Sequence, residues 1–177
     1  IFLSSFYLVF YLSSKIWYSF FVIGGFLFLE GFNSRKDFSI LKDFKKFIFI
    51  WFVFALIGVL LEIIGNFYLD KWDYPNYSKL DYIIHVVLIG YPFVGFFAME
   101  LFVFLEKSFK HSVKLILFIS AFLFGYLNEY PNLFAYEWRY KNIPFGEFLQ
   151  IPIIISILWL LLLTVLFFKR FFTNNAK

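Results

Sequence analysis

The run FIFIWFVFALIGVLLEIIGNF, residues 47–67, holds 21 residues and a single ionisable side chain, Glu62. About 20 consecutive apolar residues in an α-helix cross the roughly 30 Å hydrocarbon core of a bilayer, so this run reads as a membrane-spanning helix. Working outward, apolar runs recur at residues 2–12, 16–29, 82–105, 113–130 and 148–168, with the charges concentrated between them. The pattern predicts an all-α chain, a polytopic transmembrane helical bundle of about six spans. The break at Ser13, Ser14 and Lys15 is short, so the first two runs also fit one long tilted helix. No small-residue cleavage pattern follows the first run, which reads as a truncated span rather than a signal peptide.

Composition agrees. Of 177 residues, 62% are hydrophobic, 27% aromatic and 16% charged, with mean hydropathy +0.80, against about 45–50% apolar and 25% charged in soluble domains. Short loops leave no room for a separate aqueous domain. The absence of cysteine removes disulfides, thiol nucleophiles, Cys-bound iron–sulfur clusters and thiolate zinc sites. GxSxG, Walker A, GxGxxG and HExxH patterns are all missing. The Phe excess carries no functional weight, because Phe is an acceptable lipid-facing substitute for Leu.

Eleven of the sixteen Lys and Arg residues fall in the loop holding Arg35, Lys36, Lys42, Lys45 and Lys46, the loop holding Lys107, Lys110 and Lys114, and the tail with Lys169, Arg170 and Lys177. Lys15, Lys71, Lys79, Arg139 and Lys141 fall on the opposite side. The positive-inside rule therefore predicts a multi-pass protein of the cell membrane with the basic loops and C-terminus cytoplasmic. The net charge of +4 fits anionic inner-leaflet lipids as partners and no nucleic acid. In the first basic loop, Phe38, Leu41 and Phe44 recur at helical spacing, and Ser34 with Asp37 fits a capping box. A short interfacial helix is expected there.

The chain also aligns with itself. Asn66, Trp72 and Tyr74 stand 66 positions before Asn132, Trp138 and Tyr140, giving two copies of N-x5-W-x-Y, and Phe26-Leu-Phe-Leu-Glu30 precedes the first as Phe102-Val-Phe-Leu-Glu106 precedes the second. Each unit contributes two spans, so the copies share one orientation as parallel two-helix repeats. The expected organisation is a truncated N-terminal span (1–15), a first repeat (16–80), a second repeat (81–145), and a final span with a basic tail (146–177).

Intramembrane carboxylates are costly and mark candidate sites. Glu62 precedes Asn66 by four residues, so the two share a helix face. Asn128 holds the position 66 beyond Glu62, with Glu129 next to it, and Asn128 and Asn132 share a face if the helix survives Pro131. Tyr82 and His85 begin the next span, and Glu147 and Gln150 begin the last, so Glu62, His85, Glu129 and Glu147 can form one layer. Glu100 lies toward the other end, after Gly90 and Pro92. Glu62 and Glu100 are the candidate catalytic residues. Asn66, Trp72, Tyr74, His85, Asn128, Glu129, Asn132, Trp138 and Tyr140 are candidate ligand-binding residues. No metal or other cofactor is expected, since no ligand pair such as H-x3-H is present. Trp and Tyr also populate interfacial belts, and Asn also joins helices by hydrogen bonds, so a structural role stays open. His111, among basic residues, reads as solvated, and Asn76-Tyr-Ser78 fits a glycosylation acceptor.

Leu61-Glu62-Ile-Ile-Gly-Asn66, Lys71-Trp72-Asp-Tyr74-Pro75, and Gly90-Tyr-Pro92 leading to Ala98-Met-Glu100 resemble a group of uncharacterised bacterial multi-pass proteins, over roughly residues 28–106. Leu61 stands where that group has Trp, and the group implies no activity. Glu62, the W-x-Y loop, Gly90 and Pro92 are also similar to membrane-embedded lycopene cyclase domains. Phe93, Val94 and Gly95 occupy the place of their paired glutamates, the expected proton donors, so what this similarity implies is an isoprenoid-binding fold. Two readings follow, and whether the chain is an enzyme is left open between them. One is a site for a lipophilic, isoprenoid-like molecule, with Glu62 as proton donor or charge stabiliser, Asn66 orienting it and Trp72 and Trp138 stacking on the ligand. The other is a non-enzymatic bundle, a transporter subunit or assembly factor, with oligomerisation open in both.

Overall fold

The structure, a computed structural model, describes residues 1–12, 14, 16–109, 112–143, 146–148 and 151–166. Six helices fall on the six apolar runs: α1 (Phe2–Phe10), α2 (Trp17–Asn33), α3 (Phe44–Tyr68), α4 (Lys79–Ser108), α5 (Val113–Ala135) and α6 (Ile153–Leu166). Of these, α3, α4 and α5 are long and apolar enough to cross a membrane, which is compatible with a membrane location. Side-chain caps start all three. Asp43 accepts from Lys46 N at 3.0 Å, Ser78 and Asp81 form a capping box, and Ser112 accepts from Leu115 N at 3.3 Å.

The central helix is α4, two-thirds buried along its apolar stretch where α3 is about one-fifth buried (67% against 22%). Against α4 pack α2 on one side and α3 on another; α1 packs chiefly on α2 and also on α5, and α6 packs on α5. The seam between α2, α4 and α5 is filled by aromatic rings, Phe21, Phe26, Phe96, Phe97, Phe102 and Phe124, all buried. They meet edge-on or offset, as the ring quadrupole favours; Phe97 and Phe124 stand 5.0 Å apart at 81°.

Two stretches depart from the regular α-helix. The last seven residues of α3, Glu62–Tyr68, and nine residues near the start of α4, Tyr82–Gly90, are π-helical. Such winding is rare, seldom longer than one turn, and frequent at functional sites. Both stretches lie at the same end of the bundle. There the two W-x-Y loops meet: β1 (Trp72–Asp73) pairs antiparallel with β2 (Arg139–Tyr140), Trp72 facing Tyr140 and Asp73 facing Arg139.

Three expectations are corrected. The basic loop forms no amphipathic helix; Ser34–Lys36 is one 3-10 turn, Asp37 is left-handed at φ 60°, and α3 starts only at Phe44. The cause is Glu30, whose buried carboxylate accepts from the backbone N–H groups of Ile40 (3.1 Å) and Leu41 (3.4 Å) and from the Ser39 hydroxyl. These bonds satisfy the loop backbone without a helix. Next, the last helix begins at Ile153 rather than 148, because β3 (Glu147–Phe148) pairs with β4 (Ile151–Pro152) as a hairpin, and Glu147 is exposed outside the carboxylate layer. Third, α5 runs through Pro131 to Ala135, past the expected end of the run at 130. Gln150, His111 and the basic tail lie outside the described residues.

Candidate functional site

Glu62, 1% exposed, is the acceptor for five donors. Its Oε1 accepts from Tyr74 OH (2.8 Å) and Tyr91 OH (2.5 Å), its Oε2 from Asn66 Nδ2 (3.0 Å) and Tyr82 OH (2.9 Å), and Trp72 Nε1 lies 3.2 Å from both. The π-helix explains how one helix supplies two of these phenols. Nine residues at about 100° each turn an α-helix through about 900°, which sets Tyr82 and Tyr91 on opposite faces. An i→i+5 ladder winds more slowly, at about 4.4 residues per turn, so nine residues close nearly two full turns and return to one face. Two glycines of α3 admit the rings. A Cβ on Gly58 would overlap Tyr91, and a Cβ on Gly65 would overlap Trp72.

A second carboxylate repeats the arrangement. Glu129 accepts from Trp138 Nε1 at 3.0 Å and Tyr140 OH at 2.9 Å, so it stands to Trp138 and Tyr140 as Glu62 stands to Trp72 and Tyr74. Alignment from the asparagines had set Asn128 opposite Glu62. The geometry corrects this, because ten positions separate Glu62 from Trp72 and nine separate Glu129 from Trp138, and the π-helical end of α3 accommodates the extra residue. Asn128 instead accepts from Tyr18 OH at 3.0 Å and donates to Phe124 O. Asn132 holds the turn after α5, accepting from the backbone N–H of Glu137 (2.9 Å) and Trp138 (3.3 Å) and donating to Trp138 O. Asn66 and Asn132, matched in sequence, therefore do different work.

The turn that Asn132 holds buries Glu137, a residue the sequence reading did not select. Glu137 is 1% exposed; Tyr77 OH donates to its Oε1, while its Oε2 has no partner among the described residues. Burial pushes this carboxyl up to about 8, against a smaller lowering by the Tyr77 bond. The same burial, with Glu137 alongside, raises the Tyr77 phenol, and burial likewise raises Tyr74 and Tyr140, so all three stay protonated as donors. Its position between Tyr136 and Trp138, beside the motif, is the one signal that could have marked it.

On the exposed face of the ribbon, Arg139 binds Asp73 through both nitrogens at 3.2 Å, and Lys141 reaches Asp70 at 2.9 Å and Asp73 at 3.3 Å. Partial burial raises the Asp73 carboxyl, but its bonds from Arg139 and Lys141 outweigh that and hold it below its ordinary range. A lowered carboxyl stabilises the fold above its unfolded value, about pH 4, and the contribution is lost as pH falls through the folded value. The Lys141 N–H, bonded to Lys71 O at 2.7 Å, should accordingly lose hydrogen-exchange protection below about pH 4 before the helices do.

Between these groups lies a cavity of about 350 Å³, within the usual range for small-molecule sites. Trp72, Tyr74, Trp138 and Tyr140 line it from the ribbon side, with Tyr18, Tyr77 and Tyr91. Glu129, Glu137 and His85 line it too, the His85 Nδ1 paired with Ser19 Oγ at 2.8 Å. Its aliphatic wall comes from Ile57 and Leu61 of α3 and from Leu158 and Leu162 of α6. Helices α3 and α6 pack on their neighbours rather than substantially on each other. Leu61 and Leu158, half exposed, flank the gap between them.

The structure therefore brings together, among the sequence candidates, Glu62, Asn66, Trp72, Tyr74, His85, Glu129, Trp138 and Tyr140. Glu100 is left apart. It is nine residues beyond Tyr91, about 14 Å along α4, and is fully buried with Asn33, whose Nδ2 donates to its Oε2 at 2.6 Å and to its backbone oxygen at 2.8 Å. Among the described residues no group of three His, Cys, Asp or Glu side chains is placed to hold a metal ion. No family model matches the chain, and neither does any curated protein or solved structure.

Proposed function

We propose that this chain is a multi-pass protein of the cell membrane that binds a lipophilic, isoprenoid-like molecule in the aromatic cavity at its extracytoplasmic end. The carrying observation is a pocket walled by indole and phenol rings whose polar groups are buried carboxylates. The gap between α3 and α6, flanked by Leu61 and Leu158, supplies a lateral opening from the bilayer, which suits a ligand that travels in lipid. In this reading the helices form about six spans, and the two halves are parallel repeats that each present a carboxylate, a Trp and a Tyr. The eleven basic residues face the cytoplasm.

The geometry supports a different division of labour from the one the spacing suggests. Glu62 backs the pocket and fixes the rings, since all five of its neighbours donate to it. Trp138 and Trp72 offer faces to the ligand, and Glu129 and Glu137 meet it. Organic extracts of the purified protein, analysed by mass spectrometry, test the reading. The expected result is a stoichiometric non-phospholipid molecule in the wild type, reduced at least fivefold in Trp138→Ala. Bulk phospholipid alone in both would sink the proposal and favour a non-enzymatic bundle.

A further inference from the structure

Two buried carboxylates, Glu129 and Glu137, line the pocket and a third, Glu62, backs it, none with a cationic hydrogen-bond partner among the described residues. Glu62, Glu129 and Glu137 are 1%, 7% and 1% exposed, and their hydrogen-bond partners among the described residues are neutral: phenols, indoles and an amide. The nearby cationic side chains are engaged elsewhere. Arg139 and Lys141 bind Asp70 and Asp73 on the exposed face, and Lys71 Nζ donates to Asn142 O at 3.0 Å. Burying carboxylates without positive charge is costly, and among the described residues the Glu137 Oε2 lacks even a neutral partner. Trp72, Trp138 and five tyrosines form another part of the lining, and the faces of such rings attract cations through the ring quadrupole.

Resting on the reading of the cavity as a lipophile site, we infer that its ligand ends in an organic cation, an ammonium group held between Glu137, Glu129 and the faces of Trp72, Trp138 and Tyr77. The cationic end completes the charge that the protein leaves open. The apolar body extends along Leu61 and Leu158 toward the bilayer. A metal ion fits less well, because the free acceptors are few and the remaining surface is hydrocarbon and ring.

The test uses the full chain in non-ionic detergent, titrated calorimetrically with hexyltrimethylammonium and, separately, with its uncharged carbon isostere 2,2-dimethyloctane. The cation should bind at least tenfold more tightly than the isostere to the wild type, and Glu137→Gln should weaken the cation at least tenfold, erasing that preference. A quaternary ammonium does not titrate, so its affinity should also rise between pH 6 and 9 as Glu137 ionises. The titratable groups around Glu137 are Tyr77 of the loop, Tyr18 of α2, His85 of α4 and Glu129 of α5. Loss of the rise in Glu137→Gln assigns it to Glu137. Equal binding of cation and isostere to the wild type, which needs no variant to fold, would overturn the cation and leave the lipophile site standing. Failure of both probes to bind folded protein overturns the cation as well, and the lipophile site falls with it only if the organic extracts also hold nothing but phospholipid.

Discussion

Glu62→Leu should leave the protein without a cooperative thermal transition in detergent, or with its midpoint lowered by about 8–16 °C. The substitution removes the common acceptor of Asn66, Trp72, Tyr74, Tyr82 and Tyr91, and each buried donor left unpaired costs about 1–3 kcal/mol. Even with most of that recovered by relaxation, about 4 kcal/mol remains, and 1 kcal/mol moves the midpoint of a chain of this size by about 2–4 °C. Glu62→Gln should fall between, since it keeps one carbonyl oxygen but turns an amide donor toward phenols. Tyr82→Phe, which deletes one donor and leaves the acceptor served by four others, should cost only about 1 kcal/mol. Melting followed by intrinsic fluorescence checks the series. A Glu62→Leu protein as stable as the wild type would mean that the carboxylate does not organise this end of the bundle.

The second large effect is expected at Gly65. Its missing side chain makes room for the Trp72 ring, which a Cβ would overlap. Gly65→Val must therefore displace Trp72, adding an overpacking cost of about 1–3 kcal/mol to the loss of a charge-assisted hydrogen bond worth about 1.5–3 kcal/mol. A double-mutant cycle separates this from any effect on the helix itself. Gly65→Ala should be clearly destabilising alone and nearly neutral in a Trp72→Ala background, because the clash needs both partners. An unchanged Gly65→Ala penalty without the indole would place the cause in α3 rather than in the ring it admits.

The helices were legible because hydropathy fixes them. Every apolar run became a helix, and the repeated W-x-Y motifs identified the two loops that pair. The basic loop is misread because its apolar period of three matches a helix, while the competing acceptor, Glu30, lies nine to eleven residues before the groups it holds, in a neighbouring element, where local periodicity does not register it. Glu62 is matched by spacing to Asn128 rather than to Glu129 for a related reason. Spacing counted in residues assumes a constant helical pitch, and α3 changes pitch at Glu62; E-x9-W-x-Y set against E-x8-W-x-Y would have shown the surplus residue. Tyr91 carries no spacing pattern, and Glu137 carries only its place beside Trp138. One is a loop acid turned inward by Asn132, and the other reaches Glu62 only because of a π-helix that no composition announces.

The ribbon between the loops has a dyad passing between Asp73 and Arg139, positions 66 apart in the chain that face each other across it. Between two separate identical chains, such a dyad sets each central residue against its own copy, Asp against Asp or Arg against Arg, and the charges repel. An acid against a base is open only to two unlike halves. The pair therefore makes each W-x-Y loop selective for the unlike loop over a copy of itself, much as complementary charges choose partners in coiled coils. What favours closure within one chain over pairing with a neighbour's unlike loop is the tether between the two loops, which makes their meeting intramolecular and raises the effective concentration of each for the other.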